Sequence, residues 1–126
     1  MTNVSSLPPR RNINTLIGWI TYNNASVPLG TMRDDYYVKN IHLHVTEAFD
    51  DSGTDNITVG RTGDTDAFMA AEAVNTTGVK SITLGSSNGY NSTNYEVNVY
   101  YAGQNGDATQ GKAIVIVELE KVPPQP

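Results

Sequence analysis

Two runs near the carboxyl end set the architecture: Tyr95-Glu96-Val97-Asn98-Val99-Tyr100-Tyr101 and Lys112-Ala113-Ile114-Val115-Ile116-Val117-Glu118-Leu119-Glu120. In the first, Tyr95, Val97, Val99 and Tyr101 share one face while Glu96 and Asn98 lie opposite, the period of two that a half-buried strand requires. Gly103 to Gly111, rich in Gly, Asn and Asp, has the chemistry of a chain reversal. The last strand, 112–122, then turns Val115, Val117 and Leu119 inward. On its other face Ile114 and Ile116 give way to Glu118 and Glu120, so its first half is expected to be covered on both sides.

The same alternation recurs upstream. Ile41, Leu43 and Val45 point one way and His42, His44 and Thr46 the other. Further apolar runs occupy 13–22 (ended by Asn23-Asn24), 36–38, 56–60 and 79–84, and Leu29-Gly30 precedes the second of them. Asp50-Asp51-Ser52-Gly53 and Gly85-Ser86-Ser87-Asn88-Gly89 read as turns. One segment reads as helix: Asp66 to Val74, with Asp66 as N-cap, Ala67, Ala70, Ala71 and Ala73 favouring one or two turns, and Gly78 stopping it. Seven or eight short strands with turn signals between them predict an all-β, antiparallel β-sandwich with one short helix. Its topology is expected to be jelly-roll-like, with an immunoglobulin-like order as the alternative. Residues 1–12 read as an extended amino-terminal arm, 13–122 as the β-sandwich domain, and 123–126 as a Pro-rich tail.

Composition agrees. Asn, Ser and Thr number 13, 8 and 14, together 35 of 126 residues, and they favour turns and strands over helix interiors. A formal net charge of −5 argues against a nucleic-acid-binding module, which carries a basic footprint. With no cysteine there is no disulfide, thiol nucleophile or thiolate metal site. Residues 1–12 lack the apolar stretch of an export signal, and no window reaches the length of a transmembrane helix. The five Asn-x-Ser/Thr sequons, at Asn3, Asn24, Asn56, Asn75 and Asn91, follow from Asn- and Thr-rich composition.

Reactive constellations are sparse. His42 and His44 are the only histidines, about 7 Å apart on one face of a strand, and are weak metal candidates needing a third ligand from a neighbouring strand. No Gly-x-Ser-x-Gly elbow is present. The run Asp50 to Asn56 gathers oxygen ligands suited to a hard cation, without EF-hand spacing or its closing Glu; a solvated acidic turn is favoured. Gly60 to Asp66 lacks the ending of a phosphate-binding loop, and its carboxylates would repel phosphate, so it is expected to turn the chain and cap the helix. No enzymatic role and no cofactor are expected.

Seven tyrosines against two Phe and one Trp suggest contact surfaces, because Tyr can sit half-buried with its hydroxyl wet. Tyr36, Tyr37, Tyr90 and Tyr100 are candidates for subunit or partner contacts; Tyr95 and Tyr101 read as core. A carbohydrate site would use similar side chains.

Residues 44–70 carry a resemblance. Val45-Thr46-Glu47-Ala48-Phe49-Asp50, Ile57-Thr58-Val59-Gly60 and Asp64-Thr65-Asp66-Ala67-Phe68-Met69-Ala70, with the Gly-rich hairpin and final Val/Ile strand, resemble small virion structural proteins of tailed bacteriophages. The likeness covers roughly residues 28–121. It implies a capsid decoration, or cement, protein: a homodimer or homotrimer that binds the major capsid protein on the outer surface and opposes the pressure of packaged DNA. It would be made in the host bacterial cytoplasm and contact neither nucleic acid nor membrane. Pro8-Pro9-Arg10-Arg11 fits as an extended segment laid on a neighbouring subunit. The alternative is a tail, baseplate or fibre component, possibly with a glycan-binding face.

Overall fold

The computed structural model describes residues 15–33, 36–83 and 95–121. They form eight strands: β1 (Thr15–Thr21), β2 (Ser26–Met32), β3 (Tyr36–Glu47), β4 (Asp55–Arg61), β5 (Asp64–Ala73), β6 (Gly78–Thr83), β7 (Tyr95–Gly103) and β8 (Lys112–Lys121). They pair into two four-stranded antiparallel sheets, β1-β8-β3-β6 and β2-β7-β4-β5. Successive strands cross from one sheet to the other except at the β4–β5 hairpin. This is the double Greek-key order of a jelly roll, not the immunoglobulin order.

The core lies between the sheets. Ile41, Leu43, Val115 and Val117 of the first sheet and Ile57, Val59, Val97 and Val99 of the second are fully buried, as their alternation predicts. β2 contains Pro28, which has no N–H to donate. It lies on an edge strand, and its register shifts between Pro28 and Gly30, two arrangements that accommodate proline.

The expected helix at 66–74 is a strand. β5 pairs with β4 from Arg61↔Asp64 through Val59↔Met69 to Asn56↔Ala73. Alanine's helix preference amounts to a few tenths of a kcal/mol per residue. Against it stands a two-residue turn, Thr62-Gly63, with Gly63 at φ +92°, which sends the chain back along β4. β5 then satisfies the edge of β4 and buries Phe68 and Met69. These two are adjacent and both inside, which requires the bulged register recorded here. Asp64 and Asp66 therefore cap no helix, and Gly78 opens β6 instead of ending one.

Candidate interaction surfaces

One end of the sandwich is sealed by a carboxylate network. Asp51, 7% exposed, accepts backbone N–H groups from Gly53 (2.7 Å), Asn105 (3.0 Å) and Asp107 (3.1 Å), so it joins the β3–β4 connection to the β7–β8 connection, which crosses between the two sheets instead of closing the expected hairpin. Asp50 accepts the Thr109 N–H (2.6 Å) and hydroxyl (2.7 Å) and the Gln110 N–H (3.1 Å). The Ser52 N–H and hydroxyl donate back to Asp107. Burial pushes the Asp51 carboxyl up, but the converging N–H groups outweigh it and hold the carboxyl below its ordinary value. The Thr109 bonds do the same for Asp50. The oxygens weighed as cation ligands, and expected instead to form a solvated turn, are largely engaged in bonding a loop. Among the described residues no three His, Cys, Asp or Glu side chains cluster for a metal.

Beneath this seal the Tyr101 hydroxyl donates to Asp55 Oδ1 at 2.5 Å. Asp55 is 2% exposed, and its Oδ2 has no hydrogen-bond partner among the described residues. Burial, then the bond to Asp55, raises the Tyr101 pKa. Tyr101→Phe would leave both oxygens without a partner and is expected to cost about 1–3 kcal/mol, read by urea denaturation. The spectroscopic counterpart is an alkaline titration in which Tyr101 ionises only as the chain unfolds. If Tyr101→Phe leaves the denaturation midpoint unchanged, the bond has no structural weight.

The outer faces of the two sheets differ in chemistry. On the β2-β7-β4-β5 sheet, Ser26, Thr58 and Tyr100 form one cross-strand row, Tyr100 half-buried between the other two. The β1-β8-β3-β6 sheet instead carries two apolar rows. Trp19, Ile114, His44 and Val79 are aligned across all four strands, as are Ile17, Ile116, His42 and Ser81. Ile17 is 54% exposed, Trp19 50% and Val79 64%. The described residues therefore leave the outward side of Ile114 and Ile116 only half covered, contrary to the expectation of burial on both faces.

Charges close one end of this face. Lys39 Nζ lies 3.0 Å from Glu120, and His42 Nε2 3.2 Å from Glu118. Asn40 donates to Glu118 at 2.9 Å, and its bond, followed by that of His42, lowers the Glu118 pKa. His42 Nδ1 lies 2.8 Å from Ser81 Oγ, so both ring nitrogens are engaged within the sheet. His44 is exposed one row along. Thr15, Lys39, Asn40, Glu118, Leu119 and Glu120 line a shallow open depression of about 430 Å³ here.

Among the described residues, the tyrosines expected to make contacts lie on different sheets. Tyr36 and Tyr37, half-buried, begin β3 opposite Lys121 and Glu120, whereas Tyr100 belongs to the other sheet. Tyr101 packs against the core as expected. Tyr90, Pro8, Pro9, Arg10 and Arg11 lie outside the described residues, as does the Tyr95 side chain. The surface that emerges, Ile17, Trp19 and Val79, was not among the sequence candidates. Its trace was the continuous apolar run Leu16-Ile17-Gly18-Trp19-Ile20, which pairs with an equally apolar Ala113 to Val117.

No family model and no curated protein matches the chain. Solved structures do share its fold. A chain of the cyanophage Pam1 capsid asymmetric unit superposes with a TM-score of 0.64 at 15% identity, covering 97% of this chain and 98% of that one. A chain of the acidic stable capsid structure of Helicobacter pylori bacteriophage KHP30 superposes with a TM-score of 0.57 at 17% identity, covering 87% of each. The likeness is one of fold.

Proposed function

We propose that this chain is a bacteriophage virion protein of the capsid shell, and that it acts as a decoration protein on the outer surface. The observation that carries the reading is the near-complete superposition on a chain of a phage capsid asymmetric unit, with a second phage capsid structure alongside it. The resemblance of residues 44–70 to virion structural proteins supports the same reading from an independent direction. The role is mechanical. The chain acts by binding the assembled shell of major capsid protein, which stabilises that state by mass action.

The test is addition of the purified protein to capsids lacking it. Binding in proportion to the major capsid protein, with a raised disruption temperature, is the expected result. Occupancy confined to one vertex would assign the chain to the tail, and no binding would remove the reading. Deleting residues 1–12 is expected to weaken attachment while leaving the melting temperature of the domain unchanged.

A further inference from the structure

The outer face of the β1-β8-β3-β6 sheet has one chemistry at its two edges and another at its centre. Trp19 and Ile17 lie on the β1 edge, and Val79 and Ser81 on the β6 edge, at the same heights along the strands. The central strands differ in charge. β8 presents Glu118 and Glu120, and β3 presents Lys39 and Asn40 at the same end. We propose that this face is an interface between copies of this chain, closed about an axis parallel to the strands, so that the β1 edge of one copy packs on the β6 edge of the next.

That axis keeps each row at its own height. Trp19 of one copy then covers the partner's Val79, and Ile17 meets the partner's Ser81. Near the axis the acidic end of β8 meets the ammonium and amide of the partner's β3. The arrangement is self-complementary, as a closed homo-oligomer requires. An axis perpendicular to the strands would instead carry the Lys39–Glu120 end away from itself. Four strands about 4.8 Å apart and six or seven residues long bury on the order of 500 Å² per copy, about 1,000 Å² in total, the size of a weak contact. Such a contact forms when copies are concentrated. The face is independent of the capsid reading and can be tested without a particle.

The test exploits a chain without cysteine and with a single tryptophan. Sedimentation between about 1 µM and about 1 mM is expected to show a reversible dimer or trimer, accompanied by a blue shift of Trp19 emission. Trp19→Lys, at an exposed site where folding is undisturbed, is expected to weaken association by about 30-fold or more. Ile17→Cys with Ser81→Cys is expected to give disulfide-linked oligomers under mild oxidation, and neither single variant is. Within one chain these positions lie three strand spacings apart, about 14 Å, beyond the reach of a disulfide. Cross-linking of Ile17→Cys alone as efficiently as the pair would overturn the axis. A wild-type chain monomeric at the highest concentration overturns the proposal. So does Trp19 emission that is already blue in the monomer and turns red when residues 1–12 are deleted, which would give the face to the chain's own arm.

Discussion

Phe49→Ala is expected to lower the unfolding free energy by about 3–5 kcal/mol, seen as a fall of roughly 10–20 °C in melting temperature for a domain of this size. Phe49 belongs to no strand, yet it is 1% exposed and closes the end of the core. Its ring packs on Tyr101, with centroids 4.7 Å apart. Its N–H donates to the Val74 carbonyl (3.0 Å), while the Val74 N–H donates to Asp55 (3.0 Å), so the ring sits where three connections meet. Truncation leaves a cavity beneath a hydrogen-bonded lid that has little freedom to collapse into it.

The lid contributes its own constraint. Gly111 has φ +150°, and a Cβ there would lie 2.4 Å from the Phe49 ring. Gly111→Ala is therefore expected to cost about 1–3 kcal/mol in overpacking and about 1–3 kcal/mol in backbone strain. The overpacking share vanishes once the ring is gone. The double variant should accordingly lose less than the sum of the single losses, by an interaction energy of about 1–3 kcal/mol. Strict additivity in urea denaturation would show that ring and glycine do not constrain each other.

What was legible in the sequence follows from where the determining contacts lie. β3, β7 and β8 could be read because alternation is local: each apolar residue faces the core whatever its partner strand is. β5 could not, because local preference favours a helix there, and the deciding term is the hydrogen-bonding edge of β4. β2 was hidden by Pro28, which is tolerated only because the strand is at an edge. The seal around Asp51 pairs residues 54 and 56 positions apart, so the acidic run read as a solvated turn although its carboxylates are tied into the opposite loop. The exposed apolar face was half legible. The apolar first half of the last strand announced two covered faces, but only the strand order shows that it adjoins the apolar run of β1 and that the described residues leave one face half covered.

Acid is expected to act on that same seal. Asp50, Asp51 and Glu118 are all held below their ordinary values of 3.8, 3.8 and 4.5. A carboxyl with a depressed folded-state pKa stays ionised in the fold while the unfolded chain takes up its proton. The stability it contributes is therefore complete above its unfolded pKa and is lost as pH falls through the folded one. The contribution of these three groups should be unchanged from neutrality down to about 5.5, and unfolding should then take up as many as about three protons at them as the pH drops further. The three sites are not equal. Asp51 is buried and bridges two loops through three backbone N–H groups, whereas Glu118 is half-exposed and screened by solvent. Asp51→Asn puts an amide donor against donors. It is expected to produce the largest fall in melting temperature of the three at pH 7, and to flatten the acid limb most. Asp50→Asn should fall between, and Glu118→Gln should scarcely move the transition. An acid limb that keeps its full steepness in Asp51→Asn would remove the seal as its cause and leave Glu118 on the sheet face to account for it.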